Sequence, residues 1–206
     1  MNDRLETLLR DVTALSPSDQ ELVRAYVEFL RWRSGPGSVA ATPTVTRPWQ
    51  FNFLEHFAGA DVRAIPARSS SGVGRDLSGM EVKTAEATVD GERRPALWQH
   101  PPVNGEAVVE FHVPVPTGLR DLCLRFAIGI RDGAQAQDRL MAFRVRLDGW
   151  QVWSRAAWPV TWEQIEVPLP FQTGNVLRLA FVTDGLGDHQ WAWSVWGEPV
   201  LVGQGA

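Results

Sequence analysis

Tryptophan is the residue type in this chain with the clearest capacity for binding chemistry. The 206-residue sequence contains ten tryptophans and one tyrosine, and seven of the tryptophans lie between Trp150 and Trp196. An indole offers a large apolar face and one N–H donor, so it can stack on a sugar ring, fill a core or anchor a protein contact. We expect some of these rings to face outward, because one interior does not readily absorb so many.

Five tryptophans are the candidates for ligand contact. Three of them fall in or beside predicted turns and loops, where an exposed indole is hard to explain by folding alone. The other two would share one face of an extended segment and could form a platform for a pyranose ring. The five are Trp150, Trp158, Trp162, Trp191 and Trp193.

The alternative interpretation of each ring is that it fills the core. We interpret Trp196 in this way, since Gly197-Glu198-Pro199 follows it in a structural pattern. Trp150 follows the turn dipeptide Asp148-Gly149, which predicts a hairpin tip and an exposed ring.

Metal and catalytic motifs are sparse. Asp184 and Asp188 flank a flexible Gly-Leu-Gly stretch and could supply oxygens to a structural calcium ion, although such sequences are also common turns. The four histidines are scattered and none has zinc-ligand spacing. No nucleophile elbow, phosphate-binding loop or dinucleotide-binding glycine motif is present, so we predict no enzyme, no catalytic residues and no cofactor. Cys123 lies among apolar residues and is predicted to be a small buried thiol.

The elements that must position the tryptophans are predicted to be strands. Beyond residue 48, apolar and polar residues alternate in five segments, and Asp-Gly or Asn-Gly turn dipeptides separate them. Many short alternating strands without helices between them predict a mainly β fold, either a sandwich or a barrel. The five segments are 107–113, 122–130, 141–147, 165–169 and 177–181.

The first 33 residues have helical periodicity instead. Two apolar stripes, separated by Ser16-Pro17, predict a short helical hairpin. Residues 34–47 are rich in glycine, proline, serine and threonine and predict a linker. So short a hairpin must either pack on the β domain 48–206 or pair with a second copy. The linker favours pairing, so residues 1–33 are predicted to form a homo-oligomer.

Three groups of residues in the β domain together resemble galactose-binding-like jelly-roll sandwiches. The pattern is similar to that of carbohydrate-binding modules found beside glycosidases, and it extends over about 48–203. The resemblance implies a jelly-roll β-sandwich and favours sugar binding, although this fold also hosts protein-binding and structural domains. Relatives often carry an acidic residue where this chain has Ala192. A role that this acid has in relatives is therefore not expected in this chain. The groups are 94–102 with 110–116 and 124–130, 143–149 with 152–153, and 191–201.

The charge of the chain and its lack of recognisable targeting signals limit which partners and which location we expect. The net charge is −4 and no basic stripe is present, which argues against nucleic acid. No secretory signal or membrane-spanning run is recognisable, so the expected location is the cytoplasm. We expect a non-catalytic module that binds carbohydrate and is made multivalent by its helices. The alternative is a structural or adaptor protein that contacts other proteins, and a third, resting on the hairpin alone, is an antitoxin-like regulatory partner.

Overall fold

A computed structural model describes residues 49–67, 76–116, 119–135, 139–169, 176–188 and 190–205, together with Val12, Thr13 and Gln20. The chain divides into two units, Met1–Val45 and Thr46–Ala206. The three described residues of the first unit are helical. The rest of the hairpin predicted over 1–33, and the linker predicted over 34–47, lie outside the described residues and stay predictions.

The second unit is built almost entirely from β-strands, as the alternating sequence predicts. Its one described helical segment is a 3-10 turn at Phe57–Gly59. Among the described residues, no helix combines the length and the apolar character that crossing a bilayer requires. The strands are β1 (Trp49–Asn52), β2 (Asp61–Pro66), β3 (Glu81–Val89), β4 (Glu92–His100), β5 (Gly105–Pro114), β6 (Leu119–Ile130), β7 (Met141–Leu147), β8 (Trp150–Ala157), β9 (Glu163–Pro168), β10 (Val176–Asp184) and β11 (Ser194–Gly205).

The strands form two antiparallel sheets. The first has the order β3-β4-β11-β6-β9, and β1 pairs with the second half of β11, beyond the part that β4 occupies. The second sheet has the order β2-β5-β10-β7-β8. Consecutive strands therefore cross repeatedly between the sheets, and the predicted β-sandwich is confirmed.

The core lies between the sheets and is rich in aromatic rings. Trp196, on β11, has no exposed surface, which confirms its predicted place in the core. Its ring lies 5.0 Å from the ring of Phe181, 5.2 Å from Phe126 and 5.3 Å from Phe143. Burial of each such ring contributes about 2–3 kcal/mol to folding, so this cluster holds the two sheets together.

Two hairpin turns join neighbouring strands with two residues each. Asp90 and Gly91 connect β3 to β4 with φ angles of 52° and 73°, and Asp148 and Gly149 connect β7 to β8 with 50° and 89°. Positive φ at both central residues matches the twist of antiparallel strands and favours Asp-Gly sequences. These two predicted turns are confirmed.

A buried glutamine on β4 links the two sheets near the start of β11. The side-chain amide of Gln99 donates to the carbonyl oxygens of Ala107 and Phe181, each at 2.8 Å. Its backbone oxygen accepts from the hydroxyls of Thr183, at 2.8 Å, and Ser194, at 2.6 Å. These four bonds pair the side-chain NH₂ and the backbone oxygen of Gln99 and fix the end of β4, and the residues on either side of Gln99 line the candidate site.

Candidate functional site

A cavity of about 230 Å³ opens at one end of the sandwich, beside the outer face of the first sheet. It lies where the loop after β6 meets the end of β4 and the start of β11. A cavity of this size suits a single small ring rather than a large ligand. Its lining combines indole rings with ionised and polar groups, namely Gly79, Glu81, Trp98, His100, Arg131, Trp193 and Ser194.

The strand register brings the side chains of β3 and β4 to the cavity. Glu81 pairs with His100, and Lys83 pairs with Trp98. Successive residues of a strand point to opposite faces, so Trp98 and His100 point outward while Leu97 and Gln99 are buried inside. The outer face of β3 and β4 therefore presents an acid, an imidazole and an indole together.

Arg131 lies between two of the indoles. Its guanidinium carbon is 3.3 Å from the centroid of the Trp98 ring and 5.2 Å from that of Trp193. The ammonium of Lys83 is also 4.3 Å from the Trp98 ring, and the ring of Trp191 is 5.2 Å from Trp193. Cations over indole faces are attracted by the ring quadrupole, and the planar guanidinium also stacks.

The charges in the cavity are partly balanced. Lys83 donates a hydrogen bond to Glu81, and this bond, helped by the charges of Lys83 and Arg131, holds the pKa of the Glu81 carboxyl below its usual range. Burial lowers the pKa of the Arg131 guanidinium, while the charge of Glu81 acts in the opposite direction. Arginine remains protonated in proteins, so at neutral pH the cavity is lined by the cation of Arg131 and the carboxylate of Glu81, and Lys83 pairs with that carboxylate.

His100, which precedes Pro101 and Pro102, anchors the loop before β11 through its side chain. Its Nδ1 lies 2.7 Å from the carbonyl oxygen of Ala192. A carbonyl can only accept, so Nδ1 carries a proton and donates this hydrogen bond. Ala192, the position where relatives often carry an acid, is fully buried and takes part through its backbone.

The loop that carries Arg131 is held on both sides. The backbone N–H of Arg131 donates to Trp193 O at 3.0 Å, and that of Asp132 donates to Thr88 O at 2.9 Å. The Asp132 carboxylate accepts the backbone N–H groups of Asp90, at 2.8 Å, and Gly91, at 3.0 Å. The tip of the β3–β4 hairpin therefore fixes the segment from which Arg131 reaches the cavity.

The segment before β11 differs from the extended conformation considered for Trp191 and Trp193. Trp191 has a φ of 61°, and the N–H of Trp193 donates to Trp191 O at 2.7 Å. A bulky residue in the left-handed region is strained and needs surrounding contacts to hold it. The two rings come together because the chain turns here, whereas the pattern predicted a shared face of a strand.

Trp150 is the most exposed of the other predicted ligand residues. It begins β8 with 56% of its surface exposed, which confirms the predicted exposure. It lies at the far end of β7, away from the loops around the cavity. Trp158, in the loop before β9, is half-buried and packs against the main core.

Trp162 is half-buried on the outer face of the first sheet. Its indole N–H donates to Glu92 O at 3.0 Å, and Arg94 lies 5.4 Å from the ring. Trp98 and Trp162 pack against the same small cluster of Ala87, Val89, Ala96 and Val195. These contacts give Trp162 a role in holding the β3–β4 hairpin, and its predicted contact with a ligand stays a prediction.

The two aspartates proposed for a metal ion each have partners in the protein. Asp184 accepts from Leu186 N at 2.8 Å and pairs with Arg144 at 3.2 Å. Asp188 accepts from Gln190 N at 3.0 Å and pairs with Arg139 at 2.8 Å. In the described parts of the chain, no group of three or more metal-ligating side chains is present.

The solved structures similar to this chain include carbohydrate-binding modules. A CBM51 module from Clostridium perfringens, solved with methyl-galactose, is 14% identical, has a TM-score of 0.45, and is matched over 74% of this chain and 99% of its own. TmCBM61, solved with β-1,4-galactotriose, is 12% identical with a TM-score of 0.43 over 74% of this chain and 94% of its own. A longer Clostridium perfringens ZmpB chain, containing CBM51-2 with GlcNAc, is 14% identical, has a TM-score of 0.42, and is matched over 69% of this chain and 27% of its own.

These neighbours are the kind of domain that the sequence motifs resemble. No protein-family model and no curated protein sequence matches the chain. At identities of 12–14% and TM-scores of 0.42–0.45, the likenesses carry no argument about what the cavity binds.

Of the seven residues that line the cavity, six were not predicted to bind a ligand, among them Glu81, Trp98 and Arg131. Glu81 and Trp98 become neighbours only through the β3–β4 register, which the alternation did not predict. Arg131 directly precedes the turn dipeptide Asp132-Gly133 at the end of an apolar strand, and a cation at that junction is the one local signal that sequence offered.

Proposed function

We propose that the β-sandwich is a non-catalytic binding domain that holds a sugar or similar polyol in this cavity. The observation that carries the proposal is the composition of the lining, in which the indole of Trp193 lies beside Glu81 and Arg131. Sugar rings have apolar C–H faces and polar rims, so their binding sites need an aromatic surface together with a few oriented hydrogen-bonding groups.

The polar groups of the cavity offer both kinds of hydrogen-bond partner to hydroxyl groups. Ionised Glu81 accepts and the guanidinium of Arg131 donates. Lys83 and the backbone bonds of the Arg131 loop hold these groups in place before a ligand arrives. Such preorganisation limits the entropy lost on binding.

Calorimetric titration with a panel of methyl glycosides tests this proposal. We expect at least one glycoside to bind, and we expect Trp193→Ala to weaken that binding at least tenfold, about 1.4 kcal/mol. Trp150→Ala is the matched control, because it removes an exposed indole away from the cavity. It should leave the dissociation constant within twofold.

The opposite pattern would move the site elsewhere. Loss of binding in Trp150→Ala with Trp193→Ala unaffected would show that the ligand sits at the β7–β8 hairpin.

The exposed Trp150 favours one second candidate function, an adaptor role in which this ring anchors a protein contact.

Multivalence through the N-terminal helices forms part of the proposal. A hairpin over residues 1–33 that pairs between copies would bring several weak sugar sites together and raise avidity without new contacts. The support is the helical periodicity of the sequence, and the composition of residues 34–47 would let each sandwich reach its ligand independently.

A further inference from the structure

Arg131 differs from the other basic residues of the described structure in having no ion-pair partner. Each remaining lysine or arginine whose side chain is described lies within ion-pair distance of an aspartate or glutamate. Arg131 instead contacts Trp98 and Trp193 and lines the cavity. The one described cation without a carboxylate partner is therefore in the proposed binding site.

The nearest carboxylate does not neutralise Arg131. Glu81 affects Arg131 through its charge, but it makes its ion pair with Lys83. Because Glu81 is paired with Lys83, the positive charge of Arg131 is left without an ion pair beside the cavity. A cation that is partly removed from water, with its faces against indoles, loses hydration that a carboxylate could replace.

The shape of the guanidinium makes it well suited to a ligand carboxylate. Contact with Trp98 at 3.3 Å covers one face of the group, and the five N–H donors of a guanidinium lie in its plane. Two of those donors can bind both oxygens of one carboxylate. The backbone bond from Arg131 to Trp193 and the bonds between Asp132 and the hairpin tip hold the segment that carries the group.

We propose that the ligand of the cavity is an acidic sugar, whose carboxylate pairs with Arg131 while its ring contacts Trp193. This inference rests on the proposed function and specifies its ligand class. A uronic acid residue, either at the end of a polysaccharide chain or within it, has the required chemistry because it adds one carboxylate to an otherwise neutral pyranose.

Matched pairs of glycosides give the direct test with the unmodified full-length chain. Methyl β-glucuronoside is compared with methyl β-glucoside, and methyl α-galacturonoside with methyl α-galactoside, by calorimetry at neutral pH and low salt. The two glycosides of each pair differ at one carbon only, which carries a carboxylate in the uronide and a hydroxymethyl group in the neutral sugar. We expect at least one uronide to bind tenfold or more tightly than its neutral partner, and its affinity to fall as salt is raised.

Two variants connect that preference to Arg131. Arg131→Gln should reduce the advantage of the uronide to less than twofold. Arg93→Gln is the control, because Arg93 is 70% exposed on the β3–β4 hairpin, pairs with Glu86 and does not line the cavity. It should keep the full preference. If Arg131→Gln does not fold, the paired titration of the unmodified chain still decides the question.

Each outcome of the paired titration has a distinct meaning. A neutral glycoside that binds as tightly as its uronide would overturn the acidic-ligand inference and leave the sugar-binding function standing. Absence of binding across both pairs and the wider glycoside panel would overturn both. A uronide preference that survives in Arg131→Gln would also contradict the inference, since another cation would then be responsible.

Discussion

The indole of Trp162 occupies space that glycine leaves open on the outer face of the first sheet. A Cβ atom at Gly197 would lie 2.8 Å from Trp162 Cζ3, and one at Gly129 would lie 3.2 Å from Cε3. Real Cβ atoms do not approach other atoms as closely as 2.8 Å. Gly197 is therefore required for the close approach of a ring that ties β9 to the β3–β4 hairpin, and Gly129 leaves further room for that ring.

Gly197→Ala should displace Trp162 and lower the free energy of unfolding by about 1–3 kcal/mol, because the ring loses its packing and its bond to Glu92. Urea unfolding measures the change. Gly59→Ala is the control, since a Cβ there has nothing within 4 Å, and it should change stability by less than about 0.5 kcal/mol. A Gly197→Ala variant as stable as the Gly59→Ala variant would show that the ring moves aside without cost.

The thiol of Cys123 provides a residue-scale prediction of pH dependence. Burial raises the pKa of this thiol, and the charge of Glu166 acts in the same direction. A raised pKa means a smaller fraction of thiolate at pH 8, and the thiolate is the reactive form. Alkylation by iodoacetamide should therefore rise steeply only above the usual thiol range. A half-maximal rate at or below pH 8 would contradict the protected environment.

At the scale of elements, the β3–β4 hairpin and the loop after β6 form one unit beside the cavity. Each supplies part of the other's hydrogen bonding, through Asp132 to the amides of Asp90 and Gly91 and through Thr88 to Asp132. The sequence predicts the two turns separately from their Asp-Gly dipeptides. That they meet depends on the curvature of the sheet, which local sequence does not contain.

Asp132→Asn should weaken binding of the preferred uronide three- to tenfold, because the amide replaces one acceptor oxygen and loosens the segment that positions Arg131. Asp148→Asn is the matched control: Asp148 also lies in an Asp-Gly hairpin turn and accepts a backbone N–H, that of Arg178 at 3.1 Å. Its substitution should leave the affinity within twofold. If both variants bind alike, Asp132 has no positioning role.

At the scale of the whole molecule, the sequence predicts the architecture better than the site. The five alternating segments became β5, β6, β7, β9 and β10, because residues that must be buried between two sheets are apolar at every second position. β8 was missed, since its edge position leaves most of its residues exposed and removes the alternation. β1, β2, β3, β4 and β11 also lie outside the five segments, and β1 and β2 are short.

The site was predicted only in part for a related reason. Of the five tryptophans predicted to contact ligand, Trp193 lines the cavity and Trp191 lies beside it. Trp98, Glu81 and Arg131 join them from three other segments of the chain, and such long-range proximity has no local sequence signature. The number of tryptophans indicates that the core does not take up all of them, whereas the strand register decides which of them lie together.

Association of the whole chain is tested by removing residues 1–33 and measuring the mass in solution by light scattering. If the helical hairpin pairs between copies, the truncated protein should be monomeric, because the surface that pairs is gone. A variant with Trp150→Ala in the full chain is the control and should keep the oligomeric mass. An unchanged number of subunits after truncation would contradict the predicted pairing.

Indole N–H resonances followed by NMR during titration with methyl β-glucuronoside and methyl α-galacturonoside test the central claim most directly. Single Trp→Phe variants assign the resonances. The cavity account predicts that the signals of Trp98 and Trp193 shift in saturable fashion with at least one uronide, while those of Trp150 and the buried Trp196 remain in place. Shifts of Trp150 alone, with Trp98 and Trp193 unmoved, would contradict it.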